Sequence, residues 1–203
     1  LQTINFSNAG NQNATVKAGS AATVTATGGM TASVEGKAIT NVTITKASSL
    51  ATVDNLNATT GATSTGTTLT SVTLDGITDD AALKGDGITA VTLKNLQTTG
   101  KGVVGITNTV STALAVNVDN VGYNTAGAKL ASVPSVTTGT KAEAVTVNAT
   151  GAKSALTLDN GGAVKTLTIT GTAALDLAGL GAIVLKSVDG SAATGGLTLD
   201  ALN

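Results

Sequence analysis

The sequence predicts an all-β chain wound as a β-solenoid, like a parallel β-helix, with short stacked strands joined by Gly, Asn and Asp turns. Three observations carry this. A nine-residue phrase, apolar-x-x-Val-Thr-Leu-x-x-apolar, reads LTSVTLDGI at 69–77 and returns as ITAVTLKNL at 88–96. Short runs rich in β-branched residues recur between turn residues, and helical periodicity is absent almost everywhere. The interior must be thin, because 41% of the chain is hydrophobic while only 1% is aromatic, with no Trp.

Within a strand, successive side chains point to opposite faces. Val72 and Leu74 therefore face one way and Thr73 the other, while the flanking Leu69 and Ile77 turn the corners and stay inside. From the N-terminus, the phrase first reads LQTINFSNA at 1–9. A looser stretch follows, in which TVKAG, TVTAT and SVEGK place Val16, Val24 and Val34. ITNVTITKA at 39–47 matches again, then 69–77 and 88–96, then ALAVNVDNV at 113–121. The core alone recurs around Val145, Leu156, Leu167, Leu175 and Leu197. LGAIVLKSV at 180–188 fits through Leu180, Ile183, Leu185 and Val188. A strand plus a turn takes roughly 8–12 residues, so the wider gaps in the middle each hide a degenerate strand.

Self-similarity at this spacing marks coils that bury their apolar edges on one another, about 4.8 Å apart. Val72, Leu74, Val91, Leu93, Val116, Val118, Leu167 and Ile169 are expected inside. Thr43, Thr73, Thr92, Thr146, Thr157, Thr168 and Thr198 are expected to form an outward ladder. Residues 1–203 read as one repetitive segment of a larger exported protein, with looser coils over 1–68 and clearer repeats over 69–203. Tandem immunoglobulin-like sandwiches share the strand spacing but usually carry a buried Trp or corner Tyr and several prolines. A leucine-rich horseshoe would need a regular repeat length and a helix in each repeat.

Composition also excludes chemistry. The formal net charge is −1 and every basic residue is Lys, which leaves no basic stripe for nucleic acid. With no Cys there is no disulfide framework, and with neither His nor Cys there is no Ser–His–Asp or Cys–His catalysis. No apolar run approaches the 18 or so residues of a membrane-spanning helix.

The acidic stretch Asp75, Asp79, Asp80 and Asp86 is the one chemical lead. Paired carboxylates on parallel β-helices cleave polysaccharides, but they need one carboxyl held protonated and cationic partners for a sugar acid. Without His or Arg that set cannot be assembled, and the chain is read as non-enzymatic. Two readings of the stretch stay open. The four carboxylates, with the carbonyls of Gly76 and Gly85, could supply oxygens to Ca²⁺. Alternatively the stretch is a solvated turn in which DDAALK forms a short helix capped by Asp and closed by Lys84.

Rich in Thr, Ala, Gly, Val and Asn, free of Cys and built on phrases like LTSVTLDG, the chain resembles the surface-layer proteins of Gram-negative bacteria, of the Caulobacter and Campylobacter types. The resemblance implies secretion, self-assembly with copies of itself into a cell-surface lattice, calcium, and lipopolysaccharide contact through regions outside this segment. Opening on LQTINFSNAG, already in strand-like alternation, the chain reads as a piece of something longer, with signal and anchor regions expected outside it. The calcium nonapeptide of such proteins has no clean copy here. Gly85-Asp86-Gly87 and Asp159-Asn160-Gly161-Gly162 are fragments of it.

Two binding alternatives accompany this. A stalk or module of a secreted adhesin would recognise glycan through an aromatic platform, for which only Tyr123 is suited. An ice-ordering face would need Thr-x-Thr on many coils, and only Thr43/Thr45 and Thr166/Thr168/Thr170 clearly supply it.

Overall fold

The computed structural model describes residues 2–7, 13–19, 23–29, 31–57, 61–159, 163–180 and 185–200. Two parallel sheets run its length. Numbered along the chain, the first sheet holds β1 (Thr3–Ser7), β3 (Thr23–Thr27), β5 (Asn41–Thr45), β8 (Ser71–Asp75), β10 (Ala90–Lys94), β12 (Ala113–Asp119), β14 (Ala144–Ala149), β16 (Thr166–Gly171) and β18 (Ser187–Ala193). The second holds β2 (Ala14–Lys17), β4 (Ala32–Gly36), β6 (Ala51–Asn57), β9 (Ala81–Lys84), β11 (Val103–Thr107), β13 (Ser135–Thr137), β15 (Ser154–Asp159), β17 (Leu175–Ala178) and β19 (Leu197–Leu199). One further strand, β7 (Gly61–Thr65), pairs antiparallel with β6. The chain thus crosses from one sheet to the other and back in every coil, two strands per turn. This is the β-solenoid that the repeated phrase predicts. Parallel pairing between successive coils rules out the sandwich, and a second strand in each coil, where a horseshoe places a helix, rules out the horseshoe.

The phrase belongs to the first sheet. Val42, Val72, Val91 and Val116 stack as one inward column, and Ile44, Leu74, Leu93 and Val118 as the next. All eight expected core residues, from Val72 to Ile169, are buried, none more than 1% exposed. The second sheet meets them with Val34, Val53, Leu83, Val104, Val136, Leu158 and Leu177. The narrow interior is filled by stacked aliphatics, with Phe6, partly buried, packed against it at β1.

The last apolar position of the phrase is reached through a sharp corner. The residue just before it has positive φ at Lys46, Gly76, Asn95 and Asn120, with φ of 58°, 62°, 53° and 59°. Gly and Asn enter this left-handed region most readily. Hence the phrase closes on Asp-Gly, Lys-Asn and Asp-Asn. The return corner, from second sheet to first, uses buried amides instead. Asn55 donates to the Gly36 carbonyl at 3.1 Å and accepts from the Leu69 amide at 3.0 Å. Asn108 donates to Ile88 O at 2.9 Å and accepts from the amides of Val110 and Ser111.

Four details depart from the expectations. DDAALK is no helix: Ala81–Lys84 is β9, paired with β6 on one side and β11 on the other. Ala, Leu and Lys favour helix, but two parallel neighbours outweigh that preference. In LGAIVLKSV, Leu185 precedes a strand rather than lying within one. The strand is β18, Val188 pairs with Leu167, and Ile183 lies outside the described residues. From β12 onward the register moves by two, so that Val147, not Val145, continues the column of Val116. The single Thr ladder becomes several columns. Thr43, Thr73 and Thr92 share one with Asn117, Asn148 and Thr170. Thr146 and Thr168 lie in the adjacent column, while Thr157 and Thr198 belong to the second sheet.

Candidate functional site: the acidic turns, the polar ladders and the inserted loop

Three coils are longer than the others. Asn41 pairs with Ser71, 30 residues on, and the excess carries β7. Ala90 pairs with Ala115, and Ala113 with Ala144, 31 residues on. This last excess is a loop over 122–133 between β12 and β13.

The four aspartates of the acidic stretch do not converge. Asp75 ends β8 and accepts from the Asn95 amide at 2.8 Å. Asp79 pairs with Lys101 at 2.9 Å, and that ammonium, together with the Asp80 amide, holds its carboxyl below the usual range. Asp80 accepts from the amides of Gly102 and Val103 at 3.1 and 3.0 Å, one coil on. Asp86, beyond β9, accepts from the amide and hydroxyl of Thr109 at 2.7 and 2.9 Å. Asp80 and Asp86 thus satisfy backbone amides of the next coil, whereas Asn55 and Asn108 reach back to a carbonyl of the preceding one. Among the described residues, no three His, Cys, Asp or Glu side chains form a group able to hold a metal ion. Asp159 ends β15, and the remainder of its fragment, 160–162, lies outside the described residues.

The first sheet's outer face is a set of side-chain ladders. Thr170 donates to Asn148 at 3.1 Å, Asn148 to Asn117 at 3.2 Å, and Asn117 to Thr92 at 3.4 Å. At the corner beside it, Asn120 donates to Asn95, which donates to Asp75, both at 2.8 Å. These amides and hydroxyls link to one another from coil to coil. The face carries Thr-x-Thr on β3 as well, through Thr23, Thr25 and Thr27, but Asp75, Lys94 and Asp119 interrupt the outermost column.

A cleft of about 240 Å³ opens beside β11 and β13, lined by Ile106, Thr107, Asn108, Thr109, Thr137, Gly139 and Thr140. It carries no titratable side chain. Elsewhere, Lys165 at 2.5 Å lowers the Glu143 carboxyl, and the Ser191 hydroxyl and amide lower that of Asp189. These shifts stabilise the ionised form, the opposite of what a general-acid carboxyl requires.

The 122–133 loop gathers the remaining polar chemistry. Asn124 accepts from the amides of Ala126 and Ala128 and folds the tip. Tyr123 bridges antiparallel to Lys129. Lys153, from the next coil's turn, lies 4.4 Å from the Tyr123 ring centroid and donates to Gly127 O at 2.8 Å. Lys129 pairs with Asp176 of β17. The ring that could have served as a sugar platform therefore carries an ammonium on its face. The long spacing between 121 and 144 signals an insertion, but nothing in the pattern reveals its partners.

No helix among the described residues is long and apolar enough to cross a membrane. In comparisons with known proteins, no family model matches the chain, and searches of curated proteins and of solved structures return no match.

Proposed function

We propose that this chain is a structural segment of a self-assembling bacterial surface-layer subunit, acting as a stiff, low-charge rod in a lattice outside the cell. The observation that carries the reading is the first sheet's outer face. It is parallel, paired without a bulge from β1 to β16, and dominated by Thr, Ser, Asn and Ala, with amides and hydroxyls linked between coils. A face of this kind, on a chain of net charge −1, lets copies approach closely with little repulsion. Contacts to lipopolysaccharide belong to regions outside this segment.

The test is assembly. Purified protein, concentrated in calcium and examined by sedimentation and electron microscopy, is expected to form sheets or ribbons. Monomers at every concentration, together with binding to a defined glycan, would move the assignment to the adhesin. A parallel thermal melt with millimolar calcium or chelator tests the Ca²⁺ reading of Asp75, Asp79, Asp80 and Asp86. A ligand that binds only the folded state must raise the midpoint.

A further inference from the structure

In a solenoid each coil touches only its neighbours, so coils open one after another from an end. The 122–133 loop breaks that rule. It leaves the β12–β13 coil, crosses the β14–β15 coil and reaches the β16–β17 coil, where Lys129 meets Asp176, 47 residues away. The crossing is anchored on the way. Lys153, in the turn of the middle coil, holds the loop by its ring contact with Tyr123 and its bond to Gly127 O.

The base of the loop is fixed as well. The Leu130 amide donates to Gly122 O at 2.9 Å, and Ala155 N donates to Val121 O at 2.8 Å. Gly122 sits so close to the middle coil that a Cβ on it would lie 2.2 Å from Ala155 O, and its φ is 73°. Ala155 points to the outer side of β15, level with Asp176, yet it is completely buried. Leu130 is 8% exposed. The loop is therefore packed onto the outside of the second sheet and tied to three successive coils.

We infer that the 122–133 loop is a clamp that makes these three coils open as one unit. Fraying from the C-terminal side then proceeds past β18 and β19 and halts at β17, whose release also requires release of Lys129. The bond to Asp176 shifts the Lys129 ammonium to a higher pKa.

Hydrogen exchange on the folded protein tests the clamp. In the wild type, the β13, β15 and β17 amides are expected to exchange with one shared opening constant. Because Gly122 and Leu130 are already bonded, residues 123–129 can be excised and replaced by a two-glycine link. This should speed β17 exchange tenfold or more and separate it from β13. Should that variant fail to fold, Lys129→Met and Asp176→Asn remain. Each removes one partly exposed ion pair and should speed β17 about two- to fivefold, leaving β8 and β10 unchanged. Lys129→Arg should restore the wild-type rate. A β17 that already exchanges faster than β13 in the wild type, or point variants that leave β17 unchanged, would overturn the clamp.

Discussion

The two sheets solve the same stacking problem differently. The first repeats one phrase, turns a left-handed corner on Gly, Asn or Lys, and presents ladders of Thr and Asn. The second is more varied. Its inward column runs from Ala32, Ala51 and Ala81 to Val104, Val136 and Leu158, and its outer side carries charges such as Lys84, Asp54 and Asp176. Both inserted segments with pairing of their own, β7 and the 122–133 loop, attach to it or lie on it. The contrast teaches that a solenoid needs strict repetition on only one side. Where one sheet holds the register, the other can vary in residue size, accept charge and carry additions.

Substitutions can break or sharpen that contrast. The largest effect is expected where the sheets are alike, in the core. Leu93→Asp in the first sheet and Leu83→Asp in the second each place a charge where exposure is 0% and 1%. Each should cost several kcal/mol and abolish the cooperative thermal transition. If Leu83→Asp melts like wild type, the second sheet is not part of the same core.

The next effect separates the corners. Asn108→Ala removes the partner of Ile88 O and of two amides, and should lower stability by about 1–3 kcal/mol in chemical denaturation. Asn95→Ala, at the opposite corner, combines positive φ with loss of two ladder bonds, and should cost about 1–2 kcal/mol. Asn95→Gly should recover the backbone part of that loss. Equal losses for Ala and Gly would mean that the corner conformation contributes nothing. The smallest effect belongs to the ladder itself. Thr73→Ala leaves the core untouched and should change stability by less than about 0.5 kcal/mol.

Much of the first sheet was legible in the sequence because a period of two with residues of matched size leaves few alternatives. A one-residue slip would turn Val72 and Leu74 outward. A slip of two keeps them inside, which is why the register change at β14 left no trace in the pattern. β9 was hidden because Ala-Ala-Leu-Lys suits a helix, and only β6 and β11 on either side make it a strand. The aspartates were visible as acids, but the partners of Asp80 and Asp86 are backbone amides 22 and 23 residues on, within the next coil. The loop showed as excess length, while Asp176 and Lys153, which hold it, carry no local signal.

The in-register stack is the central claim, and a chain without cysteine offers a direct way to measure it. Thr73 and Thr92 are register partners on adjacent strands, while Asn117 lies one strand further along the same column. Neighbouring strands are about 4.8 Å apart, within the Cα range of a disulfide, and next-nearest strands are about twice that. Mild oxidation of a Thr73→Cys, Thr92→Cys double variant is expected to give a nearly complete intramolecular disulfide with the fold retained, and a Thr73→Cys, Asn117→Cys variant none. Cross-linking of the second pair in preference to the first would contradict the register and the solenoid with it.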